Sequence, residues 1–251
     1  MLLEQTLDKL VQLKLFAMAE SLKSRLARPD HAELSVQDMI GLIVDDEWTR
    51  RDKRRNENLL RGAAFKDQAA VEDISYRSGR NLKKSQVQDL IRFEWVRAKR
   101  NILITGPTGA GKSYLSQALG QMACRSGYSV MYFRISKLIA ALRLARAAGN
   151  YPSFLKRLAR TKVLILDDLG VDLLDEQSIR DLLEILDDRR GLGSTVVVSQ
   201  LLVSHWHEYL GGGLVADSIC DRLISGAHRI ELQSEESMRK VTAEETAKGT
   251  E

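Results

Sequence analysis

The sequence contains GPTGAGKS at residues 106–113, directly after the apolar run Ile102–Thr105 and before a stretch with helical periodicity. Glycines let the backbone amides of such a loop curl around phosphate oxygens, and the helix start adds the positive end of its dipole. Lys112 would reach the β- and γ-phosphates and assist catalysis, and Ser113 would ligate Mg²⁺. The strand–loop–helix context distinguishes this Walker A pattern from a chance glycine-rich turn. The predicted phosphate-binding residues are Gly106, Pro107, Thr108, Gly109, Ala110, Gly111, Lys112 and Ser113.

A second acidic site follows another apolar run, VLILDD at residues 163–168. An apolar strand that ends in carboxylates has the form of a Walker B motif. Asp167, at the strand tip, would orient Mg²⁺, and Asp168 would polarise the attacking water. A strand that ends in a solvated acidic turn has the same local sequence. Beside a complete phosphate loop, the paired acids indicate hydrolysis rather than binding alone.

Short β-prone runs alternate with helical stretches from residue 101 onward. Strands are predicted at Ile102–Thr105, Val130–Arg134, Val163–Asp167, Val196–Ser199 and Arg229–Leu232. Helices are predicted near residues 112–126, 136–148, 151–160, 176–190 and 214–224. Continuous apolar strands that alternate with helices are typical of a parallel sheet covered on both faces. The sequence therefore predicts an α/β fold, a P-loop NTPase with a parallel sheet of five strands.

The run Val196–Ser199 follows the Walker B strand in sequence. In the additional-strand class of P-loop proteins, such a strand lies between the Walker A and Walker B strands. Its polar tip can then sense the γ-phosphate, which makes Ser199 and Gln200 candidates for nucleotide contact. The pattern leaves open which of the two has this role, and ordinary turn residues would look the same.

The N-terminal part reads as helical. Leucines at three- and four-residue steps predict one helix over residues 2–28. Ser35 followed by Asp38 resembles a capping box, which predicts the start of a second amphipathic helix reaching about Leu60. We expect a helical domain for DNA or partner binding at 1–70, a linker and start of the ATPase domain at 71–98, the ATPase domain at 99–240 and a polar tail at 241–251.

The positive charge is concentrated towards the N-terminus. The net charge is +4, and residues 1–100 hold 20 Lys and Arg against 16 Asp and Glu, while the rest of the chain is balanced. This excess fits ordinary surface variation as well as a polyanionic partner. Phosphate contacts are predicted on a helix, as an alternative to a solvated face, at Arg50, Arg51, Lys53, Arg54 and Arg55. A second predicted set is Lys137, Arg143 and Arg146, with Lys156, Arg157 and Arg160.

Composition excludes several classes of protein. The chain has 251 residues, 44% of them hydrophobic, and only 3 prolines, which argues against a collagenous or largely disordered chain. Cys124 and Cys220 are too few and too far apart for a disulfide framework or a zinc cluster. The acidic start at residues 1–10 is unlike a signal peptide, and no run is apolar enough to span a membrane. We therefore expect a cytoplasmic protein.

These residues together resemble the AAA+ ATPases of the IstB/DnaC type over nearly the whole chain. The resemblance includes YSVMYFR at 128–134, LLEILDDR at 182–189, DRL at 221–223 and ESMR at 236–239. The N-terminal part, with Asp45, Asp46, Glu47 and Trp48 before the arginines, is similar to the IstB branch. IstB-like proteins are ATP-dependent helpers of bacterial insertion-sequence transposases, and the DnaC-like branch loads replicative helicases.

The resemblance implies further roles. Arg222 matches an arginine finger, which reaches the γ-phosphate held by a neighbouring subunit, and Arg239 matches the sensor arginine of a small helical extension. It also implies ATP with Mg²⁺, a ring or helical homo-oligomer formed with ATP, a cognate transposase as partner, and duplex DNA bound without strong sequence preference. In this family the helices that carry Lys137, Arg143 and Arg146 face a central DNA channel.

Three alternatives stay open beside a DNA-stimulated ATPase that assists transposition. A loader of a replicative helicase shares the same motifs. A small-molecule P-loop kinase shares the phosphate loop, but Asp167, Asp168 and a trans arginine argue against it. A DNA-binding adaptor that works without nucleotide is disfavoured by the intact Lys112 and Asp168.

Overall fold

The computed structural model describes residues 2–28, 34–77 and 79–233. The chain divides into two compact units, one up to Asn58 and one from Leu59 onward. Within the described ranges, no helix combines the length and the apolar character that a membrane span requires.

The N-terminal unit is helical. Its described helices are α1 (Leu2–Gln12), α2 (Phe16–Leu26) and the start of α3 (Val36–Ala63). The single helix predicted over residues 2–28 is wrong, because Lys14 adopts a left-handed conformation with φ of 59°. The Leu15 amide bonds back to the Leu10 carbonyl at 2.8 Å, which closes α1 with a left-handed cap.

The N-cap half of the predicted capping box is confirmed at the start of α3. The Ser35 hydroxyl accepts a hydrogen bond from the Asp38 amide at 3.1 Å and donates one to the Asp38 carboxylate at 2.6 Å. An amide that would be unpaired in the first helical turn is thereby satisfied.

Glu47 joins α3 to α2 inside the N-terminal unit. Its buried carboxylate accepts from the Ala17 amide at 2.8 Å, the Met18 amide at 3.2 Å and the Arg51 guanidinium at 2.7 Å. Both amides lie in the first turn of α2, where no helical carbonyl can accept them. Burial alone would raise the pKa of Glu47, but the hydrogen bonds from Arg51, Met18 and Ala17 together hold it below its ordinary value.

The second unit is built on a parallel sheet of five strands, as predicted. Its strands are β1 (Ile102–Thr105), β2 (Val130–Arg134), β3 (Val163–Leu169), β4 (Ser194–Ser199) and β5 (His228–Glu231), in the spatial order β2-β3-β4-β1-β5. β4 lies between β1 and β3, which confirms the additional-strand topology. The helices of this unit are α4 (Lys84–Leu90), α5 (Glu94–Arg97), α6 (Lys112–Arg125), α7 (Ile135–Ala147), α8 (Tyr151–Arg160), α9 (Glu176–Arg189), α10 (Trp206–Tyr209) and α11 (Gly213–Ile224).

Both faces of the sheet are covered, which explains the continuous apolar strands. Ile102 and Ile104 pack into one cluster, with α6, while Leu103 between them packs into the other, with α7, α8, α9 and α11. Successive side chains of a strand point to opposite faces, so both faces of β1 must be apolar.

The segment at 71–98, predicted to hold a linker and the start of the ATPase domain, contributes largely to the core of the second unit. Val87 in α4 and Trp95 and Val96 in α5 are buried in the same cluster as Ile102. Leu59 and Leu60 pack against this cluster too, so the division of the chain lies before residue 70. Helices as short as α4 and α5 leave too few turns for a visible helical period.

Candidate functional site

The site lies at the carboxyl edge of the sheet, where several strand ends meet. β1 leads into the loop at residues 106–113, and α6 starts directly after it. The backbone requires glycine at Gly106, because a Cβ there would lie 2.2 Å from the Leu232 carbonyl oxygen. Gly111, with φ of 80°, is the residue before α6 and turns the chain into the helix. The loop thus presents the amino end of α6 towards any bound anion.

Lys112 is buried and folds back over the loop. Its Nζ donates a hydrogen bond to the Pro107 carbonyl at 2.8 Å. Burial lowers the pKa of Lys112, while the charges of Asp167 and Asp168 act in the opposite direction. A phosphate oxygen offers this ammonium a charged acceptor in place of a neutral carbonyl, which is the stronger interaction.

Ser113 and Asp167 meet although they lie far apart in sequence. The Ser113 hydroxyl donates to Asp167 Oδ1 at 3.1 Å, and the Asp168 amide donates to the same oxygen at 2.9 Å. The Tyr132 hydroxyl donates to Asp167 Oδ2 at 2.6 Å. Burial raises the pKa of this carboxyl, although the bonds from Tyr132 and Ser113 oppose it.

A hydroxyl beside a carboxylate suits Mg²⁺, which prefers oxygen ligands and usually retains waters and phosphate oxygens as well. Among the described residues, no group of three or more His, Cys, Asp or Glu could enclose a metal ion. Ser113 and Asp167 offer two oxygen ligands at one point, which fits a magnesium ion that also binds waters and phosphate oxygens.

Asp168 is paired with an arginine that the sequence analysis did not select. Asp168 has φ of 63°, and its Oδ2 lies 3.2 Å from Nε of Arg134. Arg134 ends β2, the strand next to β3, and is the register partner of Asp167. The sequence signal for Arg134 was its position at the end of a predicted strand. This signal was not sufficient to select it, because the order of the strands in the sheet decides which strand ends are neighbours.

The two sensor candidates are placed differently. The Ser199 hydroxyl is buried, donating to the Leu169 carbonyl at 2.6 Å and accepting from the Leu201 amide at 3.0 Å. Gln200 Oε1 instead accepts from the Thr108 hydroxyl in the phosphate loop at 2.7 Å. Of the pair, Gln200 is therefore the side chain that contacts the loop, while Ser199 holds the backbone around it.

Arg222 lies at the opposite edge of the sheet. Its carbonyl accepts from Nδ2 of Asn101, which precedes β1, at 2.8 Å. Its guanidinium binds the Asp187 carboxylate and donates to the Ser218 carbonyl at 2.8 Å. One chain therefore does not bring Arg222 to its own phosphate loop. Arg239, the other arginine implied by the resemblance, lies outside the described residues.

The candidate DNA-binding cations divide into paired and unpaired groups. Arg51 is bound to Glu47, and Arg50 lies over the Phe16 ring at 5.2 Å. Arg143 pairs with Asp175 at 2.7 Å and Arg146 with Asp181 at 2.8 Å. Lys53, Arg54 and Lys137 are exposed, and no ion pair with a carboxylate involves them within the described part of the chain.

The other predicted cations, on α8, line a cavity. Its volume is about 380 Å³, and its lining residues are Ser129, Ser153, Lys156, Arg157, Arg160 and Thr161.

Solved structures share the fold. A DnaC helicase loader aligns with a TM-score of 0.58 and 17% identity, covering 67% of this chain and 98% of that one. AMPPCP-bound DnaA from Aquifex aeolicus aligns with a TM-score of 0.60 and 20% identity, covering 74% of this chain and 56% of that one. At these identities the likeness concerns the AAA+ P-loop fold alone.

Sequence relatives are considerably more similar. An insertion sequence ATP-binding protein of Sinorhizobium fredii is 44% identical over 240 residues, 96% of this chain and 98% of the relative. The ATP-binding protein of insertion sequence IS1162 from Pseudomonas fluorescens is 42% identical over 202 residues, 80% of this chain and 87% of the relative. The family described as IstB-like ATP binding protein matches residues 8–246. The resemblance drawn from the motifs is thus confirmed, and the chain belongs to the IstB-like ATP-binding protein family.

Proposed function

We propose that this protein binds and hydrolyses ATP with Mg²⁺ and, in its ATP-bound oligomer on duplex DNA, recruits an insertion-sequence transposase. The observation that carries the nucleotide part is the 3.1 Å contact between Ser113 and Asp167. It joins the loop after β1 to the acid of β3 across 54 residues of sequence, as magnesium-nucleotide chemistry requires.

Phosphate binding rests on the loop and on Lys112. The amides at the start of α6 and the Lys112 ammonium, released from the Pro107 carbonyl, hold the β- and γ-phosphates. The hydrogen bond that Gln200 accepts from Thr108 in the loop supports a role for Gln200 in sensing the γ-phosphate. Mg²⁺, when bound through Ser113 and Asp167, supplies charge neutralisation on the phosphates.

Hydrolysis requires an acceptor for the proton of the attacking water, and Asp168 is placed for this role beside Asp167. Its carboxylate is paired with Arg134 at 3.2 Å. Turnover is therefore expected to require that the Asp168 carboxylate exchanges its contact with Arg134 for one with the attacking water.

Completion of the site requires a second copy of the chain. Arg222 lies at the amino edge of the sheet with a side chain that is 22% exposed, whereas the phosphate loop lies at the carboxyl edge. A head-to-tail contact that places Arg222 against the next phosphate loop is heterologous, and repeated contacts of this kind generate a ring or a helical filament.

DNA and transposase are proposed from family membership together with the exposed cations. The relatives are ATP-binding proteins of insertion sequences, whose mobility requires a transposase and DNA. Lys53, Arg54 and Lys137 are candidates for phosphate contacts, which carry no base specificity.

The nucleotide part is tested with Lys112→Ala. We expect ADP and ATP affinity and ATPase activity to be lost while the unfolding transition stays cooperative, because the hydrogen bond that the ammonium donates is to a carbonyl of the loop itself. Arg180→Ala, which removes an exposed pair with Glu176, is the matched control and should keep both activities. Full ATPase activity in Lys112→Ala would refute the assignment.

The partner is tested by co-expression and affinity capture. We expect the tagged protein, with ATP and duplex DNA present, to retain the transposase encoded by the same insertion sequence and not a replicative helicase. Capture of the helicase alone would favour the helicase-loader alternative. Transfer of phosphate to a small molecule without DNA would favour the kinase alternative.

A further inference from the structure

Arg80 is a buried cation directly behind the phosphate loop. It is 5% exposed, and its Nε and Nη2 both donate to the Ala110 carbonyl, at 3.3 and 3.1 Å. Nη1 donates to the Ser75 carbonyl. No carboxylate pairs with Arg80 among the residues that the structure describes, so its charge is balanced only by carbonyl dipoles. Burial lowers the pKa of this guanidinium, because the charged form is poorly solvated there.

The contact with Ala110 has a geometric consequence. In a planar trans peptide the carbonyl and the amide of the next residue point in opposite directions. When Arg80 holds the Ala110 carbonyl behind the loop, the Gly111 N–H is turned towards its front. Within the described ranges, this amide has no acceptor of its own.

The charge of Arg80 also strengthens that donor. A cation at the carbonyl end of an amide polarises the group, and hydrogen bonds that share a peptide reinforce one another. A polyphosphate in front of the loop would accept a hydrogen bond from the Gly111 amide. Its negative charge would also offset the positive charge of Arg80, which has no carboxylate partner among the described residues.

We infer that Arg80 is a positioning residue for the phosphate chain of the nucleotide, acting through the Ala110–Gly111 peptide rather than by contact. The inference rests on the proposed nucleotide binding and specifies a further residue of the same site. Two hydrogen bonds hold the backbone around Arg80 in place. The Arg80 carbonyl accepts from the Gln233 amide at 3.1 Å, and Asn81 donates to the Glu231 carbonyl at 2.9 Å. Both contacts tie the segment to β5 and the residues after it.

Arg189 offers a matched control. It is 2% exposed and also binds backbone carbonyls, those of Thr161 at 2.8 Å and Ser194 at 2.6 Å among them. These carbonyls precede β3 and start β4, at the amino edge of the sheet. Arg189 is thus a comparable buried arginine without contact to the phosphate loop.

The experiment measures the dissociation constants of ADP and AMP for the full chain and for Arg80→Gln, Arg80→Lys and Arg189→Gln. Because a hydrogen bond to a charged group contributes more than a neutral one, we expect Arg80→Gln to weaken ADP binding by roughly 10- to 100-fold. AMP should be affected less, since it lacks the β-phosphate that the loop holds. Arg80→Lys retains the charge without the forked donors. Its ADP dissociation constant should lie between those of the unchanged chain and of Arg80→Gln. Arg189→Gln should lower the melting temperature and leave both constants within about twofold.

The outcomes separate the inference from the proposed function. ADP binding unchanged in Arg80→Gln but lost in Lys112→Ala would overturn the inference alone. Equal weakening in Arg80→Gln and Arg189→Gln would also overturn it, because general destabilisation would then explain both. Should Arg80→Gln fail to fold, native ADP affinity in Arg80→Lys would exclude any need for the forked donors. No ADP binding by the unchanged chain would overturn the proposed function and the inference together.

Discussion

Replacement of Arg222 by alanine tests whether the active site is completed by a neighbouring subunit. The Arg222 carbonyl is bound at Asn101, before β1, and the phosphate loop begins after Thr105, at the other end of that strand. At about 3.3 Å per residue, a strand of this length separates its two ends by roughly 10–13 Å. The guanidinium, held by Asp187 and Ser218, does not span this distance to its own loop.

The expected effect of Arg222→Ala is therefore on turnover and not on the folding of the nucleotide site. Arginine fingers in other P-loop enzymes contribute about 10³–10⁵ in rate, and we expect a loss in this range per subunit. ADP affinity should stay close to that of the unchanged chain, because the contacts described for Arg222 are with Asn101, Asp187 and Ser218 and not with the loop. Arg190→Ala is the matched control, since Arg190 is exposed and lines the same cleft as Arg222.

The assay mixes two inactive variants on duplex DNA. Arg222→Ala retains an intact phosphate loop, and Lys112→Ala retains an intact Arg222. In an equal random mixture, about a quarter of heterologous interfaces pair an intact loop with an intact arginine. We expect the mixture to recover about a quarter of the ATPase activity of the unchanged protein. In a separate assay of the unchanged protein alone, the ATPase rate per subunit should rise with protein concentration.

Two results would refute this reasoning. Full ATPase activity in Arg222→Ala would show that Arg222 has no role in catalysis. No recovery in a mixture whose two variants are shown to co-assemble on DNA would exclude action in trans.

Three further predictions concern separate parts of the chain. Asp168→Asn should keep nucleotide affinity and reduce kcat by about 10²–10⁴, as expected for loss of a general base; an equal loss of affinity would place Asp168 in nucleotide binding instead. Replacing Lys53 and Arg54 by glutamine should flatten the slope of log affinity for duplex DNA against log salt by about 2, with Arg180→Gln as control; an unchanged slope would leave them as a solvated face. Glu47→Gln should lower the free energy of unfolding by about 1–3 kcal/mol at pH 7. Because the folded pKa of Glu47 is lowered, its contribution is present above the unfolded pKa of about 4.3 and is lost as the pH falls through the folded value. Urea titrations should therefore show that the difference in free energy of unfolding between the unchanged chain and Glu47→Gln becomes smaller in acid. A difference that does not depend on pH would contradict this.

Local sequence determined much of the fold. Runs such as Ile102–Thr105 and Val130–Arg134 have the same bounds in the structure as in the prediction, because a strand buried on both faces is apolar over most of its length. The phosphate loop was equally visible, since its glycines and Lys112 are consecutive in sequence. The likeness to additional-strand P-loop proteins supplied the place of β4 between β1 and β3, which local patterns do not contain.

Other features were misjudged or missed for a related reason. Lys14 in its left-handed conformation divides one predicted helix into two, although no glycine or proline marks the break. Short elements such as α4 and α5 are stabilised by the core they join rather than by their own periodicity. Pairing also decides which cations are available: Arg51, Arg143 and Arg146 look like free phosphate contacts in sequence and are bound to carboxylates in the structure.

The sequence by itself determined that this chain has a P-loop, an acidic strand tip and a parallel α/β sheet, because each is encoded by neighbouring residues. Only the tertiary structure decided that Tyr132 binds Asp167, that Arg134 pairs with Asp168, and that Arg80 lies behind Ala110. These contacts join residues 30 or more positions apart. Tyrosines and arginines are common on any surface, so their meaning depends on which strand ends and loops the fold brings together.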